Sequence, residues 1–344
     1  MNVLNYAAAA GLMALIAYLL IVGHAILLPL VIAIFVCYLI NALASVTRDI
    51  RIHGWALPKS VRLTGAIVVL LLVSWFVINL VIRNINQVTA AVPVYQQNLR
   101  LMAERFGQRF GAEYYARAQT LLAKIDLGGM ASSLARTVAG LIGSIGTVAV
   151  YVVFLLLEQH SLDKKIAALC HGQAREALTH RILERIGSQI QTYVWLKTVM
   201  SLLVGFGSYL VMKIVGVDFA EFWALLIFAL NYIPYIGAFV GVIFPSVLAL
   251  VQFPTLTPSL VTAGVLSILQ FMTGSIIEPR LMGKGLNLSP VVMLLALSVW
   301  GTIWGIVGMF LAVPLMVVVM IVCAHFESTR GLAVLMSADG ELRS

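Results

Sequence analysis

The chain is 344 residues long, 61% hydrophobic and only 10% charged, with a mean hydropathy of +1.02. Soluble domains carry about 25% charge, so this composition excludes an ordinary soluble domain and predicts an all-α, polytopic membrane protein whose outer surface meets lipid. The formal charge of +8 does not point to nucleic acid, because the basic residues collect between apolar runs, as in cytoplasmic loops beside anionic lipid.

No charged residue occurs from Met1 to Thr47. That is too long for one helix, and Gly23-His24 followed by Pro29 marks a turn. The sequence predicts spans near 6–22 and 26–45, with Pro29 in the first turn of the second, where proline is tolerated. Arg48, Arg51, Lys59 and Arg62 then surround Asp49 alone, a positive-inside signal that puts this loop and the N-terminus in the cytoplasm. A third span over 63–82 ends at Arg83 and closes an N-terminal membrane region, 1–83.

Residues 84–135 change character. Leu99, Met102, Phe106 and Phe110 recur at three or four among Arg100, Glu104, Arg105 and Arg109, the pattern of an amphipathic helix. This segment is expected outside the membrane or on its face. A fourth span (136–158) carries Gly140, Gly143 and Gly146, which permit close helix contact. A basic cytoplasmic linker follows over 159–189, helical near 173–190. Residues 190–326 are expected to form the transport core, and 327–344 a cytoplasmic tail. Within the first core span, near 190–212, Lys197 sits near the inner end, where snorkelling to the headgroups is favoured over a role in transport.

Residues 222–277 again lack Asp, Glu, Lys and Arg, and the run ends in Glu278-Pro279-Arg280. Asn231-Tyr232-Ile233-Pro234-Tyr235-Ile236-Gly237 interrupts its middle. Proline removes a backbone donor and clashes with the preceding helical turn, and in hydrocarbon non-helical backbone persists only where protein or water covers it. A broken helix or tight hairpin is therefore expected here, either spanning or re-entrant, beside a solute pathway. Two roles stand open for Asn231: binding a polar solute or gating, and satisfying backbone groups freed by Pro234. Tyr232 and Tyr235 read as packing or interface residues, and Gly237 and Gly241 as sites of close helix approach.

Gln270, Thr273 and Ser275 lie on the next span, as a polar wall or as helix-to-helix hydrogen-bonding groups. Glu278 has three readings. It pairs with Arg280 at the inner mouth and switches partners during transport, it exchanges a proton for a cation, or the pair faces headgroups inertly. Pro279 and Gly283 set the turn. The last apolar run divides into limbs near 289–303 and 306–323, with Gly301, Gly305 and Gly308 at the break.

Three scattered cysteines and six histidines without ligand spacing give neither a disulfide framework nor a metal site. No phosphate loop and no nucleophile–base set is present. No cofactor and no catalytic residue is therefore expected, and the protein is read as a non-enzyme.

The order Phe228-Ala-Leu-Asn-Tyr-Ile-Pro-Tyr-Ile-Gly237, Glu278-Pro-Arg-Leu-Met-Gly283, Leu288-Ser-Pro290, Trp300-Gly301 and Gly308–Pro314 resembles the AI-2E family of permeases and transporters over nearly the whole chain. The resemblance is nearest to the branch that exports the quorum-sensing signal autoinducer-2; other members resemble sodium–proton antiporters. It implies about eight spans, a homo-oligomer and a bacterial inner membrane location, while Arg330, Arg343 and the polar end fit a cytoplasmic tail, so that both termini are expected inside. Ser275 stands where related sequences often carry Asn. The resulting expectation is a secondary exporter of a small polar metabolite or signal, working by alternating access and coupled to H+ or Na+. Two alternatives stand beside it: a sodium (cation)/proton antiporter using Glu278 or Glu158, and a passive pore or membrane scaffold.

Overall fold

A computed structural model of the chain describes residues 3–46, 51–52, 55–56, 58–110, 127–170, 173–282 and 287–341. Apart from a two-residue antiparallel ladder, β1 (Arg51–Ile52) and β2 (Trp55–Ala56), its regular elements are helices. They are α1 (Val3–Val22), α2 (His24–Val46), α3 (Lys59–Phe110), α4 (Leu127–Leu169), α5 (Gln173–Val215), α6 (Ala220–Leu230), α7 (Ile236–Gln252) and α8 (Thr257–Phe271). A π-helical stretch, Met272–Ile277, leads from α8 into α9 (Glu278–Met282); α10 (Pro290–His325) and α11 (Arg330–Met336) complete the chain. The protein is an all-α, polytopic membrane protein. Five helical stretches among the described residues are long and apolar enough to cross a membrane, and three shorter apolar ones accompany them.

Helix ends follow the punctuation more than the charge. Gly23 separates α1 from α2 yet bonds to both, its N–H donating to Leu19 O and its carbonyl accepting from Leu27 N–H. Pro29 lies inside α2, past the first turn expected for it. At Arg83 there is no break. The third span and the first part of the amphipathic segment form one helix of 52 residues, about 78 Å long. Likewise the linker helix and the first core span are one 43-residue helix, α5. A charge boundary changes what surrounds a helix, but only glycine, proline or a cap stops it. Residues 111–126 and Gly283 lie outside the described residues.

The chain divides into two compact units: Met1–Ile67 with Ser144–Trp195 and Met282–Ser344, and Val68–Gly143 with Leu196–Leu281. In the first, Ile186, Ile190, Tyr193 and Val194 of α5 pack with Val313, Val317 and Ile321 of α10 and with Leu288. The spacing of three and four keeps each set on one helix face. Phe35 of α2 meets Phe310 edge-on at 5.6 Å. Leu288 bridges to Ser337, and the Asn287 amide donates to Asp339, pinning α11. α10 is interrupted at Gly305 (φ 63°, ψ −145°), a conformation that only glycine adopts without strain. The two expected limbs are therefore present.

In the second unit, Val204, Met212, Val217, Ala220, Ile227 and Ala249 form the core. Gly205 of α5 lies against the Ala224 carbonyl and Phe228 of α6, and Gly207 against Leu269 of α8. The part of α3 beyond Asn84 is tied to this unit by polar contacts. Tyr95 donates to Asp218 at 2.8 Å and Asn98 to the Gln252 carbonyl at 3.2 Å. Gln252 also accepts from Asp218 N–H and donates to Gly216 O. Burial, and then the Asp218 carboxylate beside it, raises the Tyr95 hydroxyl well above the usual phenol pKa and keeps it a donor.

Candidate transport site

Helix α6 has 11 residues and rises about 16 Å, roughly half of a hydrocarbon core. With α7 it forms a hairpin, not two full crossings. Between the helices the backbone satisfies itself. Asn231 N–H bonds to Ile227 O, Ile233 N–H to Leu230 O, Gly237 N–H to Ile233 O, and Ile236 N–H to Pro234 O at 2.7 Å. The last contact, with Tyr235 at φ 66°, ψ −44°, is a γ-turn of the rare, strained form. Tyr235 is 56% exposed. A Cβ at Gly237 would collide with the Leu230 carbonyl and the Asn231 backbone, so the helices come together only because residue 237 has none.

The Asn231 side chain therefore does not repair the broken backbone. Its Nδ2 donates to Ser201 Oγ of α5 at 3.1 Å. The Asn231 main-chain carbonyl accepts from Lys197 Nζ at 3.4 Å. Tyr232, buried, shares a hydrogen bond of 2.6 Å with Thr198 and meets Phe228 edge-on at 6.0 Å, a positioning role.

Lys197 corrects the sequence reading. Its side chain is only 5% exposed and its ammonium lies 2.5 Å from Glu278 Oε1, whose side chain is 20% exposed. It does not snorkel. It is the buried cation of the site, and Glu278 pairs with it instead of with Arg280, which is exposed. The missed signal was local. In a helix, residues two apart do not face each other, and Glu278 and Arg280 both lie in α9, so their adjacency could not make a pair.

Along α5, Lys197, Ser201, Val204, Ser208 and Met212 are all buried, and along α8 so are Thr262, Leu266 and Gln270, followed by Thr273 in the π stretch. Each set keeps to one face. Thr273 Oγ1 donates to Leu269 O at 2.7 Å, occupying a carbonyl at the entry to the π stretch, where the normal ladder changes. Gln270 Nε2 lies against Gly241, where a Cβ would stand 2.9 Å away, and has no hydrogen-bond partner. Ser275 is exposed and outside this buried set, as is Pro279. The expected polar wall is thus Gln270 and Thr273 only.

Glu158 pairs with Lys165, and both side chains are about half exposed. With Ile34, Cys37, Tyr38, Asn41, Leu155 and Gln159 it lines a separate cavity of about 210 Å3. A Cβ added at Gly140, Gly143 or Gly146 would meet no neighbour within 4 Å, so these glycines serve no close approach among the described residues of this chain. By contrast, Gly301 packs on Met309, and a Cβ at Gly308 would collide with the Trp300 carbonyl; both belong to the bend in α10.

The profile described as AI-2E family transporter matches residues 10–328. The chain is 30% identical over 325 residues to the AI-2 transport protein TqsA of Escherichia coli (strain K12), covering 91% of this chain and 89% of the relative. It is also 30% identical over 323 residues to the candidate transport protein YhhT of the same strain, covering 89% and 85%. A candidate transport protein of Haemophilus influenzae is 28% identical over 321 residues, covering 90% of each. A match of this extent takes in every element of the site, from Lys197 on α5 through the α6–α7 hairpin to Glu278 on α9, and the chain belongs to the AI-2E family of transporters.

Proposed function

We propose that the protein is a secondary transporter exporting a small polar solute across a bacterial inner membrane by alternating access at the α6–α7 hairpin. The observation that carries this reading is the polar set Lys197–Glu278–Asn231–Ser201, with Lys197 and Ser201 buried and Glu278 and Asn231 half-buried, in contact where an apolar helix breaks. Buried charge within a membrane segment is costly and marks solute or ion pathways, and broken helices at such sites are the usual architecture of secondary transporters. The name of TqsA makes autoinducer-2 the first cargo to try. Basic residues near 48–62 support a cytoplasmic N-terminus. Family resemblance, with Gly140, Gly143 and Gly146 left uncovered, supports a homo-oligomer, and the driving ion is proposed to be H+ or Na+. The cation/proton antiporter reading is disfavoured by the ammonium already neutralising Glu278.

The test is reconstitution into liposomes loaded with autoinducer-2 under imposed proton or sodium gradients. Asn231→Ala is expected to lower flux about tenfold, a loss of roughly 1.4 kcal/mol in the rate-limiting step, while the detergent-solubilised protein still folds and unfolds in one thermal transition, at a somewhat lower midpoint because Ser201 loses its partner. Unchanged flux in this variant would remove the hairpin from the pathway.

A further inference from the structure

We infer that the cargo is a small anion, that Lys197 is its counter-ion, and that Glu278 is an internal stand-in neutralising Lys197 while the site is empty. This rests on the transport reading above and specifies the chemistry of the same site.

The asymmetry of the ion pair carries the inference. Lys197 belongs to the interior of a 43-residue helix and its side chain is almost wholly enclosed. Glu278 opens a five-residue helix, directly after the π-helical stretch, and is four times as exposed. The carboxylate is the partner free to leave; the ammonium stays. Its other contact is the Asn231 carbonyl, a dipole that cannot cancel a full charge. Once Glu278 departs, a buried cation remains uncompensated, which is strongly unfavourable. An anion arriving from solution restores neutrality. A neutral solute does not, and a cation meets like charge. Helix α8, which leads into Glu278 through the π-helical stretch, carries one more group of the right sign. Gln270 Nε2, in a residue 7% exposed, is a hydrogen-bond donor with no acceptor, about two turns before Glu278. An oxyanion moving along α8 would supply that acceptor.

The exchange of one carboxylate for another has a consequence opposite in sign to that of an inert ion pair. Glu278 competes with the cargo, so removing its charge strengthens binding. If Glu278 holds Lys197 for nine-tenths of the time or more, Glu278→Gln binds an anion about tenfold tighter or better. The same variant translocates it more slowly, because the return step lacks its stand-in.

Lactate, glycerol and ethanolamine serve as anionic, neutral and cationic probes of similar size, with binding measured by calorimetry on the full-length protein in detergent and flux measured in liposomes. The expected result is lactate binding by the wild type, about tenfold tighter binding by Glu278→Gln, and loss of binding in Lys197→Gln. Lys197→Arg keeps the charge and keeps lactate binding within about threefold, which guards against a fold defect in the glutamine variant. Lactate affinity unchanged or weakened in Glu278→Gln, or equal binding of glycerol by the wild type, overturns the inference. Asn231-dependent flux of glycerol or ethanolamine in preference to lactate also overturns it, yet leaves the transport reading standing. The predicted lactate binding pattern with no flux upholds the anion site and sinks the transport reading.

Discussion

Two bends interrupt otherwise apolar helices in this protein, and they are built alike in backbone but not in side chains. In the α6–α7 hairpin, Tyr235 takes a positive φ and Gly237 admits the Leu230 carbonyl; in α10, Gly305 takes a positive φ and Gly308 admits the Trp300 carbonyl. Each bend combines a residue of positive φ with a glycine at a contact too close for a Cβ. Around the hairpin stand Lys197, Ser201, Thr198 and Glu278. Around the α10 bend stand Trp300 and Trp304, 5.0 Å apart between ring centroids, and Met309, with the Trp304 indole donating to the Leu20 carbonyl. A break in a membrane helix is therefore not itself a site. The α10 bend lies beside apolar rings, and the hairpin lies beside the Lys197–Glu278 ion pair, where the proposed polar cargo would compete.

The sharpest way to break this contrast is to remove the charges and keep the bend. Glu278→Leu leaves the enclosed Lys197 ammonium without its partner and is expected to cost about 3–5 kcal/mol. Adding Lys197→Leu should bring stability back to within about 1 kcal/mol of the parent, since such an ion pair contributes little net stability, while flux stays abolished. Denaturation curves of the two variants in detergent, beside liposome flux, measure both effects. If the double variant still transports, the polar surroundings are not what separates the two bends.

The next largest effect keeps the charges and removes the bend. Gly237→Ala forces α6 and α7 apart and should destabilise the protein by about 3 kcal/mol, the upper end for overpacking, with loss of flux. The smallest belongs to the apolar bend. Gly305→Ala strains one residue at an estimated 1–3 kcal/mol and should lower the thermal midpoint while leaving flux per folded molecule near the parent value. Equal loss of flux in the two glycine variants would erase the distinction drawn between the bends.

Much of this arrangement was legible in the sequence. Pro234 and Gly237 within an uncharged run dictated the hairpin, because proline cannot continue the hydrogen-bond ladder and the apolar flanks must stay in lipid. Gly305 and Gly308 announced the break in α10 in the same way. The length of α3 and α5 was not legible to a reading that stopped helices where charge began. Gly187, just before Ile190, is accommodated within α5, and Pro93 within α3. Nor was the partner of Lys197 legible. A hydropathy window sees one helix at a time, and a lysine toward the end of an apolar span is usually a headgroup-facing one. That Lys197 turns inward depends on Glu278 from a distant stretch of chain and on an Asn231 carbonyl exposed by the hairpin.

The long helix α3 has a mechanical implication. Some 26 residues follow Asn84 before it ends at Phe110, a rod of about 39 Å. It is fastened near Tyr95 and Asn98 to the turn that feeds α6 and to the end of α7. Pivoting there by roughly 10° would carry its tip, about 22 Å farther on, through some 4 Å. Anything that grips the tip therefore has leverage on both roots of the hairpin.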